Sequence, residues 1–176
     1  LAAAKVRDLA WVRVDGKLVG TMDTRYRRFK VAIPARSKPA VVEVLLYTIA
    51  RVNFGVEIHD RKGMHGPVTF TPTGGAAQEL KDWEIRAIDF DAEGVLPPLA
   101  FKRGRSKDAA FWRGSFDARA SHDTFLDMSG WGQGIVWING RCLGRYWSIG
   151  PTQTMYLPGP WIRRGRNEVV VLDLTG

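Results

Sequence analysis

Short apolar runs separated by Gly, Pro, Asn and Asp fill this chain, and no stretch sustains a 3.6-residue hydrophobic period. The runs "LAWVRV" (9–14) and "GIVWI" (134–138) are each followed by a dipeptide, Asp15-Gly16 and Asn139-Gly140, that tolerates the positive φ angles of a type I′ turn. Each therefore predicts a β-hairpin. Further strands are predicted at "FKVAI" (29–33), "VVEVLLYTI" (41–49), "GPVTF" (66–70), "AFWRGSF" (110–116), "DTFLDM" (123–128), "TMYLP" (154–158) and "NEVVVLDL" (167–174). Many short strands with regular turn punctuation make an all-β chain of sandwich type.

The two hairpins are related. Asn139 stands 124 positions after Asp15, and the same offset links Val12 to Val136, Val14 to Ile138, Gly20 to Gly144 and Pro34 to Pro158. With a small gap, "VVEVLLY" then lies over "VVVLDL", so one β unit is present twice. The second copy has upstream strands from about Ala110, whereas the first starts almost at its hairpin, so strands that should precede it are missing. The expected organisation is the C-terminal part of a first sandwich over 1–73, a linker and extended loop over 74–109, and the core of a second sandwich over 110–176. An incomplete first sheet leaves an edge that attracts other strands. Residues 1–50 are therefore expected to pair with strands preceding Leu1 or with a second copy as a homo-oligomer.

Composition narrows the function classes. At 176 residues and 45% apolar content the chain can bury a real core. No apolar run is long enough to span a membrane as a helix, and no membrane partner is expected. The opening "LAAAKVRD" is charged too early for a signal peptide and reads as a cut edge of something longer. One cysteine, Cys142, excludes an intrachain disulfide and a multi-cysteine zinc site, and leaves an exported (periplasmic or extracellular) parent open. The net charge of +8 raises nucleic acid as a partner, but its clusters "RYRR" (25–28), "KRGRSK" (102–107) and "RRGR" (163–166) sit in turn-like contexts. Without an aromatic RNA-binding pattern or a recognition helix beside them, no nucleic-acid partner is expected.

"ARVNFGVEIHDRKGMHGPVTF" (50–70), "VRDLAWVRVDGKLVG" (6–20) and above all "DTFLDMSGWGQGIVWINGRCLGRYWSIGPTQTMYLPGPWIRRGRNEVVVLDL" (123–174) resemble the C-terminal β domains of glycoside hydrolase family 35 β-galactosidases. The resemblance covers most of the chain apart from the loop near 91–108, with Gln133 standing where lysine is common. It implies jelly-roll, galactose-binding-like β-sandwiches beside a TIM-type barrel whose two glutamates perform retaining hydrolysis. That barrel is not among these residues, and it is the expected partner.

Retaining hydrolysis needs two carboxyl groups about 5–5.5 Å apart, one with a raised pKa. Glu43, Glu57, Glu79, Glu84, Glu93 and Glu168 fall in turns, linkers or strand borders. Asp123 and Asp127, four apart on one strand, lie about 13 Å from each other. His59, His65 and His122 show neither metal-ligand nor Ser-His-Asp spacing. No catalytic residue, metal or cofactor is expected. The binding or domain-interface candidates come from the second hairpin: Trp137, Asn139, Arg145, Tyr146 and Trp147. They form either a platform on which galactosides stack, an autonomous carbohydrate-binding module, or aromatics packed within the sandwich and against the barrel; packing is the expectation, with Trp147 the exposed one of seven tryptophans. One buried indole contributes about 2–3 kcal/mol at about 25 cal/mol per Å². Arg51 and Asp60 are expected to pair and fix the corner at "HDRKG".

Overall fold

The structure, a computed structural model, describes residues 1–88, 96 and 98–175. Its regular structure is almost wholly antiparallel strands, in two units, Leu1–Arg86 and Ala87–Gly176. The first unit contains β1 (Ala2–Arg7), β2 (Leu9–Val14), β3 (Lys17–Asp23), β4 (Val42–Tyr47), β5 (Gly63–Phe70) and the short β6 (Gln78–Glu79). They form sheets ordered β3-β2-β4 and β1-β5-β6. Ala3, Val6, Ala10, Val12, Met22, Val31 and Val68 make the core, with Val42, Val44 and Trp83 packed on it. Part of the segment read as linker from residue 74 thus belongs to the first unit: β6 pairs with β5, and the Trp83 indole donates to Leu80 O at 3.1 Å. The extended loop expected over 93–108 lies outside the described residues at 93–95 and 97.

The second unit holds β7 (Ala110–Ala118), β8 (Thr124–Asp127), β9 (Gln133–Ile138), β10 (Arg141–Trp147), β11 (Thr154–Leu157) and β12 (Gly165–Asp173). Its sheets are β10-β9-β12-β7 and β11-β8. Val136 and Ile138 alternate into two clusters, one with Met128, Tyr146 and Val171, the other with Leu157 and Ile162.

The repeat read from the sequence reappears bond by bond. Asp15 and Asn139 have φ of 48° and 51°, followed by Gly16 and Gly140 at 76° and 81°, as a type I′ turn requires. In both hairpins a bulge shifts the register, beside the pair Val12↔Gly20 in one and Val136↔Gly144 in the other. Both turn residues clamp the strand that follows. Asp15 N donates to Val41 O and Val41 N to Asp15 Oδ1; Asn139 N donates to Glu168 O and Glu168 N to Asn139 Oδ1, all within 2.9–3.0 Å. Pairing of β8 with β11 is echoed by Ala2↔Lys30, with Ala3 N donating to Phe29 O and Val31 N to Leu1 O. Even the glycines agree: a Cβ on Gly20 would press on Val31, and one on Gly144 would meet Met155, residues again 124 apart.

Candidate functional site

The second hairpin places its five candidates differently from one another. Trp137 is 1% exposed, its ring 6.2 Å from that of Phe111, so it offers no face to a sugar. Asn139 Nδ2 donates to Trp161 O and to Asn167 Oδ1, each at 2.8 Å, while its Oδ1 accepts from Glu168 N. The amide is committed to the turn. Tyr146 is buried, donates its hydroxyl to Leu172 O at 3.1 Å and meets Trp131 edge-on. Arg145 alone is exposed; Trp147 is half-buried. The expectation of an exposed Trp147 is corrected: all seven tryptophans are buried or half-buried, because the sheet faces are covered wherever an indole stands on them.

Around Asn139 sits a fully satisfied polar knot. Asn167 is wholly buried; its Oδ1 accepts from Arg163 N, and its Nδ2 donates to Arg163 O and Gly165 O. Two asparagines 28 positions apart therefore hold the β9–β10 turn, the "RRGR" turn and the start of β12 together. The basic cluster at 25–28 is engaged similarly. Arg25 forks onto Asp23, and Arg25 and Arg28 each lie 5.1 Å from the Tyr26 ring.

The described carboxylates give no hydrolytic pair. All five described glutamates are exposed, and Glu93 lies outside the described residues. Asp123 and Asp127 cap turns: Gly159 N donates to Asp123 Oδ1, the Ser129 hydroxyl and then its backbone N–H donate to Asp127, and these bonds hold both carboxyls below their ordinary range. A general acid would need the opposite shift. Among the described residues no group of three His, Cys, Asp or Glu is disposed to hold a metal.

Two surfaces escaped the sequence reading. The first is the apolar loop over 54–58, carried on the corner at "HDRKG", where Gly63 takes φ of 107°. Asp60 does not pair with the exposed Arg51 as expected. It faces Arg7 Nε at 3.1 Å and Lys62 Nζ at 2.8 Å, and Lys62 also reaches Asp8 at 2.9 Å. Asp8 in turn accepts from Ile49 N at 2.8 Å, and Glu57 pairs with Arg7. The hydrogen bond from Lys62 lowers the Asp60 pKa. Burial pulls the Lys62 ammonium down, but its bonds to Asp60 and Asp8 outweigh this and leave it raised. On this buried network rides a loop whose apolar side chains point outward: Phe54 is 88% and Val56 100% exposed, with Ile58 half-exposed.

The second surface is an aromatic pair. Phe125 and Tyr156 are directly opposed on β8 and β11, both more than half exposed, with ring centroids 5.9 Å apart. Asp123 hydrogen-bonds the Tyr156 hydroxyl and raises its pKa. Strict alternation in "DTFLDM" and "TMYLP" carried the signal, since Leu126 and Met155 face inward and their neighbours must face out.

Comparison with known proteins places this geometry. Residues 1–89 match the family described as "Beta-galactosidase, first all-beta domain", and residues 109–167 match "Beta-galactosidase, galactose-binding domain". The chain is 34% identical to human Beta-galactosidase-1-like protein 2 over 99% of its length, 32% to mouse Beta-galactosidase over 96%, and 31% to Xanthomonas manihotis Beta-galactosidase over 86%. It spans 27%, 28% and 24% of those proteins, respectively. With a first all-beta domain followed by a galactose-binding domain, the chain belongs to the β-galactosidase family.

Proposed function

We propose that these residues are the non-catalytic β region of a longer β-galactosidase, in which a TIM-type barrel hydrolyses terminal β-galactosides. In this reading the region supports the barrel and shapes the approach of substrate to it. The outward loop carries the proposal. Exposed Phe54 and Val56 gain nothing in water, yet a buried ion network holds their loop in place. Each such side chain contributes about 1.5–3 kcal/mol when fully buried against a partner. In the full-length enzyme, Phe54→Asp with Val56→Asp should lower the thermal midpoint of the catalytic domain and alter KM more than kcat. Unchanged stability and kinetics would remove the supporting role.

The Phe125–Tyr156 pair favours a second reading, an autonomous galactoside-binding module. Aromatic faces beside a carboxylate suit the C–H face and hydroxyls of galactose. Titration calorimetry with galactose and lactose separates the two readings. Binding at millimolar strength or tighter, abolished by Tyr156→Ala, supports the module, and absence of heat leaves support of the barrel as the role.

A further inference from the structure

In the second unit β12 is paired along both edges, with β9 on one side and β7 on the other. Its counterpart β4 is paired only with β2 among the described residues. Asp15 exchanges bonds with Val41, so alternation aims the backbone groups of Glu43 and Leu45 at β2 and those of Val42, Val44 and Leu46 at the other edge. The matching positions of β12, Val169, Val171 and Asp173, face Gly114, Trp112 and Ala110 of β7. Side chains follow the same contrast. Val171 is buried with Trp112 packed on its cluster, whereas Val44 is half-buried and Leu46 is 39% exposed.

We infer that in the longer protein the outer edge of β4 receives an antiparallel strand from the same polypeptide, the counterpart of β7. The repeat offset sets that counterpart about seven to fifteen positions ahead of Leu1. Its chemistry is that of "AFWRGSFDA": alternating, with a bulky apolar residue opposite Val44 where Trp112 lies opposite Val171. A second copy of the chain is the weaker occupant. Edge-to-edge pairing of two β4 strands would join only Val42–Tyr47, against the nine pairs of β7 with β12, and would bring no bulky cover.

Amide hydrogen exchange at Val42, Val44 and Leu46 in the full-length protein tests this, with Val169 and Val171 reporting on the fold. The three amides should exchange about 100-fold or more slower than in an unstructured chain, independent of protein concentration. Replacing the positions seven to fifteen ahead of Leu1 by an equally long Gly-Ser stretch should restore fast exchange there and leave Val169 and Val171 protected. If that replacement prevents folding, a single proline in the same stretch must raise exchange at the same three amides. Fast exchange in the unaltered protein overturns the inference. So does protection lost on dilution, which would assign the edge to a second copy, and so does protection that survives the replacement.

Discussion

Single residues at the turns hold this chain together, and Asn139 shows how. It adopts φ of 51°, where an Asn costs less than most residues, and its amide makes three hydrogen bonds. Asn139→Ala should destabilise the second unit by about 2–3 kcal/mol, read as a lower denaturant midpoint, because Asn167 loses a buried partner. At the 50–62 corner Asp60 and Arg51 separate two expectations. Asp60→Asn leaves two buried cations facing a neutral amide and should cost about 3 kcal/mol near neutral pH. Arg51→Ala, at an exposed position, should change stability by less than about 0.5 kcal/mol. The lowered Asp60 carboxyl contributes stability above its ordinary pKa that disappears as pH falls through the lowered value. The raised Lys62 contributes below its ordinary pKa and loses this as pH rises through the raised value. The gap between wild type and Asp60→Asn should therefore be flat from about pH 5 to 9 and close in acid; a gap that widened below about pH 4 would contradict the assignment. Sequence spacing gave the corner but the wrong partner, since Arg7 and Lys62 reach Asp60 from β1 and the turn by a fold that no local pattern encodes.

Among the elements, those with strong alternation were legible and those without it were not. β2, β7, β8, β11 and β12 match the predicted runs to within about two residues. β1 was missed because "AAAKVR" lacks β-branched alternation and becomes a strand only by pairing with β5. "FKVAI" is the converse: it reads as a strand but makes the bridge Ala2↔Lys30 with three flanking bonds to Leu1 and Ala3 rather than a full ladder, because Pro34 ends the donors beyond it. The repeat was legible because hairpin chemistry is local: Asp-Gly and Asn-Gly must each supply two positive φ angles. One glycine sets sheet closeness. A Cβ on Gly134 would collide with the Leu172 carbonyl of the neighbouring strand, so Gly134→Ala should force β9 from β12. Loss of amide protection across Val169–Asp173 would report this, and full protection would contradict it.

At the scale of the whole molecule, +8 net charge, seven tryptophans and eighteen acidic residues produce no reactive constellation among the described residues. The indoles are buried or half-buried, the described glutamates are exposed, and every described carboxyl displaced from its ordinary pKa moves down. The second hairpin's aromatics were legible as packing candidates from composition and alternation. The exposed aromatic pair on β8 and β11 was not, because it forms only when strands 30 positions apart come side by side. The chain belongs to the β-galactosidase family, and its described carboxylates form no pair suited to cleaving a glycoside. Turnover of a chromogenic β-galactoside by the purified 176-residue chain tests this most directly. The account predicts release of chromophore no faster than in buffer, at any pH from about 4 to 9. Saturable turnover that co-purifies with the chain and is lost on changing one of its own acidic residues would contradict it.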